Sequence, residues 1–175
     1  MKYSNSISRK QKGMSTIEIL FVLIVITIAL AFAVQKGYSL FARQTNNTEQ
    51  TNVAELIMNT RSLRSSQGYG STGTNLVPQL VATKGIPSGL TVASNVPYNS
   101  WNGAVTVVSA GVSFTITYQD VPQDACVTLA TKVAKSEGFT TRINSGTATS
   151  GEITPAVATA GCSSDTNTIA WTVSA

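Results

Sequence analysis

The 175-residue sequence contains no histidine and only two cysteines, and these shortages remove most familiar catalytic and metal-binding arrangements. Without histidine there is no imidazole to activate a nucleophile or to bind zinc. Cys126 and Cys162 are too far apart in the sequence to form a CxxC redox or zinc motif. No serine has the GxSxG context of a hydrolase nucleophile. We therefore expect a non-enzymatic protein, with no catalytic residues, no cofactor and no metal.

Asp120 and Asp124 are the carboxylates that most resemble an acid and base pair, and they flank Pro122. Proline is common at the beginning of a helix, and carboxylates there interact favourably with the helix dipole. We therefore expect these two aspartates to cap a helix rather than to act in catalysis.

Charged residues make up only 11% of the chain, and no acidic residue precedes Glu18. The isoelectric point of about 9.2 comes from four cations near the N-terminus, Lys2, Arg9, Lys10 and Lys12. The other eight lysines and arginines equal the eight aspartates and glutamates in number. A nucleic-acid-binding protein needs its cations clustered on the folded domain. We therefore predict no nucleic-acid partner and assign the basic cluster to a targeting segment.

The longest apolar run extends from Ile19 to Val34 and is interrupted only by Thr27. Taken from Met14, the 21 residues form a helix of roughly 31 Å, enough to span a hydrocarbon core of ~30 Å. The cations precede this run, so the positive-inside rule predicts a cytoplasmic N-terminus and an exported C-terminal part.

A conventional signal peptide cleaved after Ala33 is the alternative, and it would leave an exported enzyme. Two features favour a retained helix instead. Glu18 lies inside the predicted membrane-spanning helix that begins at Met14, where a carboxylate is costly and is usually functional. The first proline of the sequence is Pro78, and Val53, Leu56, Ile57 and Leu63 recur at helical spacing beyond the run.

The pattern predicts one helix over 14–64, followed by a globular head over 65–175 that begins in a Gly/Ser-rich stretch. In the head we predict a short helix over 76–83, a β-hairpin of 104–109 and 112–118, a helix from Pro122 to Gly138, and strands over 139–143 and 168–173. The fold class is α+β, with a helix packed on an antiparallel sheet. In an exported protein, Cys126 and Cys162 predict one disulfide, two unrelated buried thiols being the alternative.

The nine residues from Lys10 to Glu18, KQKGMSTIE, stand directly before the apolar run. They resemble the type IV prepilin signature, which has a basic leader ending in glycine, an apolar first mature residue and a glutamate at the fifth mature position. The resemblance implies a leader of residues 1–13, cleaved between Gly13 and Met14 by a prepilin peptidase on the cytoplasmic face. It also implies N-methylation of Met14 and a membrane or filament-core segment over 14–34.

The leader, the methionine at the mature start and Cys126 on an amphipathic helix look most like the type IVb pilins. These include toxin-coregulated, bundle-forming, longus-type and conjugative thin-pilus subunits. The 13-residue leader is short for that subclass and long for type IVa.

An ionised carboxylate such as that of Glu18 is costly on an apolar helix unless a cation pairs with it. Cleavage creates the α-amine of Met14 four residues away, on the same helix or on a neighbour. The resemblance favours the neighbour, with the pair setting axial register in the filament. A polar residue at the membrane interface is the simpler alternative.

We therefore expect a major subunit that polymerises into a type IVb pilus and supports adhesion, aggregation or conjugative transfer. The expected partners are further copies of itself, prepilin peptidase, the inner-membrane assembly machinery, the membrane, and a host-cell or neighbouring-cell surface. The head should face the periplasm before assembly and the exterior afterwards. The alternatives are a minor tip pilin acting as a binding module and a pseudopilin of type II secretion.

Overall fold

The structure, a computed structural model, describes residues 16–135 and 138–174, with the side chains of 35–39 excepted. The elements in sequence order are α1 (Thr16–Ser62), α2 (Val77–Ala82), β1 (Thr91–Ala93), β2 (Val96–Tyr98), β3 (Val105–Ser109), β4 (Phe114–Pro122), α3 (Gln123–Val133), β5 (Phe139–Ile143), β6 (Thr149–Ser150), α4 (Pro155–Gly161) and β7 (Thr166–Val173). The predicted long helix is therefore present as α1, and Met14, its expected first residue, lies outside the described residues.

The protein divides into two compact units between Phe41 and Ala42. The sequence-based boundary at 13/14 is the expected cleavage site and the boundary at 64/65 is the expected end of the helix, whereas this division follows packing. Residues 42–62 of α1 belong to the second unit because Val53, Leu56 and Ile57 lie in its hydrophobic core. From here on, the head means this second unit, residues 42–175, rather than residues 65–175.

The head contains a five-stranded antiparallel sheet in the order β3-β4-β7-β5-β6. Alternate residues of the three strands β3, β4 and β7 are buried, as expected for a sheet with one covered face. The largest fully buried side chains are Trp171, Tyr118 and Phe114, and the Tyr118 and Trp171 rings meet edge to face at 5.6 Å. This face and the buried side of α1 share one hydrophobic core.

The predicted hairpin is confirmed as β3 and β4, although its second strand begins at Phe114 rather than Val112. The prediction ended that strand at Tyr118, whereas β4 continues to Pro122 through a β-bulge. Asp120 lies in the bulge with a φ of 54°. It therefore belongs to the strand, and its predicted role as a helix cap was wrong.

Helix α3 begins at Gln123, as Pro122 predicted, but it ends at Val133 and not near Gly138. The next residue, Ala134, has a non-helical backbone and is fully buried. The backbone leaves the helix early because β5 must begin at Phe139, in register with Val173. Asp124 lies in the first turn of α3, but the N-cap of this helix makes no side-chain hydrogen bond.

Three elements were not predicted: the β1–β2 hairpin, β6 and α4. The hairpin turns at Ser94 and Asn95, both with positive φ, as a two-residue type I′ turn requires. Helix α4 begins with Pro155. The residue before it, Thr154, caps the helix by accepting a hydrogen bond from the Val157 amide. Its start signal was a proline after a threonine, hidden in a stretch of small residues.

Candidate assembly site and its anchor in the head

The first unit contains an apolar segment, Thr16–Val34, with a mean hydropathy of 3.0. Every described side chain of this segment is exposed; Ile17, Phe21 and Phe32 each have about two thirds of their surface open. Full burial of one such side chain is worth about 1.5–3 kcal/mol relative to water. The segment is therefore built to be surrounded by lipid or by other apolar helices.

Two polar side chains of the segment Thr16–Val34, those of Glu18 and Thr27, differ in how they are placed. Thr27 donates its hydroxyl to the carbonyl of Ile24 at 2.8 Å, so its polar group is satisfied within its own helix. Glu18 lies in the first turn of α1, where a carboxylate interacts favourably with the helix dipole. Gly13 and Met14, the predicted cleavage and methylation sites, lie outside the described residues, so the pairing of Glu18 with the Met14 amine stays a prediction.

In the head, α1 buries an apolar face together with four polar side chains, Asn46, Glu49, Asn52 and Thr60. The apolar residues Val53 and Leu56 lie on the same face at helical spacing and are fully buried. The periodicity of the sequence predicted the apolar residues of this face but not the polar ones.

Glu49 is completely buried, and its carboxylate connects α1 to the loop that follows β2. One oxygen accepts hydrogen bonds from the amide of Ser100, at 2.7 Å, and from its hydroxyl. The other oxygen accepts a hydrogen bond from the side-chain nitrogen of Asn52 at 3.2 Å. These bonds compensate for the water that the carboxylate loses. The only sequence signal was the spacing of Glu49 with Asn52, Val53 and Leu56.

Asn99 organises the loop of residues 99–103. Its side-chain oxygen accepts hydrogen bonds from the amides of Trp101, at 3.0 Å, and Gly103, at 2.9 Å. Its side-chain nitrogen donates to the carbonyl of Gln119 at 2.8 Å. A Cβ at Gly103 would lie 1.8 Å from that same carbonyl oxygen, so only glycine fits. The 99–103 loop is thus held closely against β4 and, through Ser100, against α1.

Tyr118 of β4 lies in the same region, fully buried. Burial raises the pKa of its hydroxyl well above the ordinary value, and the negative charge of Glu49 raises this pKa further. A hydrogen-bond interaction of the hydroxyl with the Glu49 carboxylate also raises this pKa, although no contact between them has the length and angles of a normal hydrogen bond. The folded head therefore holds the phenol in its neutral form.

We predict that the head loses stability above about pH 10, where tyrosine in an unfolded polypeptide gives up its proton. There the unfolded state releases the Tyr118 proton while the folded state keeps it, so stability falls by up to ~1.4 kcal/mol per pH unit. Below that pH the contribution is fully present. Tyr118→Phe should change the stability by no more than about 1 kcal/mol at pH 7, because the hydroxyl that it removes makes no hydrogen bond of normal geometry. Urea denaturation at several pH values measures both effects, and equal alkaline slopes for the two proteins would contradict the prediction.

The predicted disulfide is present between Cys126 of α3 and Cys162, the residue that ends α4. The two Cα atoms are 5.9 Å apart, and both residues are fully buried. The bond closes a loop with a sequence separation of 36 that includes β5, β6 and α4. The two-thiol alternative is thereby excluded.

Comparison with known proteins identifies the family. A family model described as PilS N terminal matches residues 43–174, about three quarters of the sequence. The comparison with curated proteins found no match. Among solved structures, the NMR structure of type IVb pilin PilS from Salmonella typhi is similar, with 28% identity over 73% of this protein and 94% of that one, and a TM-score of 0.49. Since the family model covers well over half of the sequence, the chain belongs to the PilS family, which confirms the predicted resemblance to the type IVb pilins.

Proposed function

We propose that this pilin is the major structural subunit of a type IVb pilus. A pilus subunit must combine a segment that packs against further copies with a domain that folds independently of them. The observation that carries the proposal is the fully exposed apolar segment, Thr16–Val34, in a protein whose head has a complete core of its own. Thirteen large apolar side chains of this segment are exposed, and they would form the filament core.

Before assembly the same segment would span the inner membrane, with the basic leader in the cytoplasm and the head in the periplasm. Prepilin peptidase would cleave between Gly13 and Met14, and Met14 would be N-methylated. The assembly machinery would then transfer the apolar segment from lipid into a bundle of identical segments. The filament would place the heads outside, where they support adhesion, aggregation or conjugative transfer through contact with a host-cell or neighbouring-cell surface.

Purified filaments test the subunit assignment directly. The major subunit should account for nearly all of the filament mass, and its N-terminal residue should be methylated Met14. Quantitative mass spectrometry gives both results. A protein present in a few copies per filament would be a tip subunit, and a mature protein beginning at Val34 would indicate a conventional signal peptide.

Cleavage can be tested separately at Gly13. Gly13→Leu should leave full-length protein in the membrane and no fibres, because a bulky side chain would occupy the position before the scissile bond. Immunoblotting for the size shift and electron microscopy for fibres measure these results. Ser8→Leu, which adds similar bulk within the leader, is the matched control and should be processed normally. Normal amounts of mature protein beginning at Met14 in the Gly13 variant would contradict the proposed cleavage.

A further inference from the structure

The 99–103 loop contains an Asn102-Gly103 pair that its backbone requires. Asn102 has a φ of 62°, a left-handed conformation that asparagine tolerates better than most residues. Gly103 has no room for a side chain, because the carbonyl oxygen of Gln119 occupies the place of a Cβ. The Asn102 residue is exposed, whereas Gly103 is buried. The local fold therefore selects this dipeptide whatever its chemical stability.

An asparagine followed by glycine is the pair in which spontaneous deamidation is least hindered, because glycine has no side chain to block it. The backbone nitrogen of Gly103 attacks the side-chain carbonyl carbon of Asn102 and loses its proton. A new C–N bond closes a five-membered succinimide ring. The original bond from that carbon to the side-chain nitrogen of Asn102 breaks, and this nitrogen leaves as ammonia with the proton that Gly103 has lost. Water then opens the ring, giving aspartate or isoaspartate.

The folded loop ties up the nitrogen that must attack. The Gly103 amide donates to the buried side-chain oxygen of Asn99 at 2.9 Å, and the Asn102 amide donates to the Asn99 carbonyl at 3.0 Å. The Asn99 amide in turn donates to the Gly103 carbonyl at 2.9 Å. Succinimide formation would require the Gly103 nitrogen to leave its partner and the backbone to rotate. Asn99 thus holds the backbone amides of both Asn102 and Gly103 by hydrogen bonds, including the nitrogen that would react.

We propose that Asn102 is a deamidation site and that Asn99 suppresses the reaction for as long as the head stays closed. The reaction then proceeds only through an opened loop, so its rate reports how often the loop opens. The product would prevent the loop from closing again. Isoaspartate lengthens the backbone by one atom next to Gly103, where the contact with Gln119 leaves no space.

The experiment compares the full mature pilin in detergent with a free peptide of residues 98–106 at the same pH and temperature. Peptide mass spectrometry follows the conversion of Asn102 from amide to acid. Folded wild-type protein should react at least about tenfold more slowly than the peptide, because the hydrogen-bonded loop is rarely open. Equal rates in the protein and the peptide would overturn the proposal.

Two variants at position 99 test whether Asn99 is the residue that slows the deamidation of Asn102. Asn99→Ala removes the acceptor for the Gly103 amide and should bring the rate most of the way to that of the peptide. Asn99→Asp keeps an oxygen acceptor for the Gly103 amide but loses the donor to the Gln119 carbonyl, so its rate should lie between those of wild type and Asn99→Ala. A folded Asn99→Ala protein that reacts as slowly as wild type would overturn the role of Asn99.

Wild-type protein provides the test if Asn99→Ala does not fold. Urea below the unfolding transition should accelerate deamidation of Asn102 in proportion to hydrogen exchange at the Gly103 amide, since both need the same opening. Deamidation that stays constant while exchange at Gly103 accelerates would contradict the mechanism.

Discussion

Replacing Glu18 with valine is expected to abolish filaments while cleaved pilin remains in the membrane. Glu18 is the acidic residue in the first turn of α1, at the start of the apolar segment Thr16–Val34. Valine puts an apolar side chain at that position and removes the charge. Membrane insertion should improve slightly, because no carboxylate then enters the apolar zone. Cleavage should persist, because the basic leader and Gly13 are unchanged.

Assembly should fail for an electrostatic reason. From the resemblance to the prepilin signature, we propose that the α-amine of Met14, created by cleavage, pairs with Glu18 of a neighbouring subunit inside the helix bundle. Removing one member of a buried ion pair typically costs about 3–5 kcal/mol, because the other charge stays buried without a partner. A filament repeats this cost at every subunit, so a single substitution acts on the whole polymer.

Thr27→Val is the matched control for this substitution. It also replaces a polar side chain of the apolar run with valine, but the Thr27 hydroxyl bonds only to the Ile24 carbonyl of its own helix in the described structure. Filament number and length should therefore stay near wild type. Electron microscopy and a shearing assay measure filaments, and immunoblotting measures cleavage. If pure Glu18→Val protein forms pili of normal number and length, apolar packing alone sets the register and the charge pair is not required.

Co-expression with wild-type pilin refines the test. A Glu18→Val subunit keeps its own amine, which can still meet the Glu18 carboxylate of a wild-type neighbour. We therefore expect occasional incorporation into mixed filaments and a decrease in their length as the variant fraction rises. Mass spectrometry of sheared pili measures the incorporated fraction.

Local signals were sufficient for the regular parts of the fold. Helix α1 is free of proline and has an apolar face, the β3–β4 hairpin alternates apolar and polar residues, and Pro122 marks the beginning of α3. Each of these signals lies within the element that it predicts or directly beside it. The end of α3 at Val133 was not predictable in this way, because it depends on the register of Phe139 with Val173 across the sheet.

The buried polar residues of the head could not be predicted for the same reason. Glutamate on a helix is usually solvated, and Glu49 is buried because Ser100, 51 residues away, supplies an amide and a hydroxyl. Asn99 looks like an ordinary turn residue until Gln119 and Gly103 are placed around it. Long-range hydrogen bonds of this kind appear only when the whole domain is assembled.

Loss of the disulfide is expected to have the largest effect on stability within the head. Closing a loop of this length is worth up to about 4 kcal/mol in the chain-entropy model, against a typical domain stability of 5–15 kcal/mol. Cys126→Ser and Cys162→Ser should each lower pilin abundance, and the double variant should be about as unstable as either single one, because all three lack the same bond. Urea denaturation of the head with and without reductant measures the effect. The reductant should destabilise only wild type.

The region around α4 should be the first to open without this bond. Ala158 is the only buried residue within α4, so the helix itself contributes little apolar burial to hold it in place. Cys162 ends that helix and connects it to Cys126 of α3, whose neighbours Leu129 and Ala130 lie deep in the core. Limited proteolysis of the Cys162→Ser head should therefore cut between Ile143 and Thr166 before it cuts elsewhere. Cleavage that begins instead in the β3–β4 hairpin, at the same rate with and without the bond, would show that the disulfide does not hold α4 to the head.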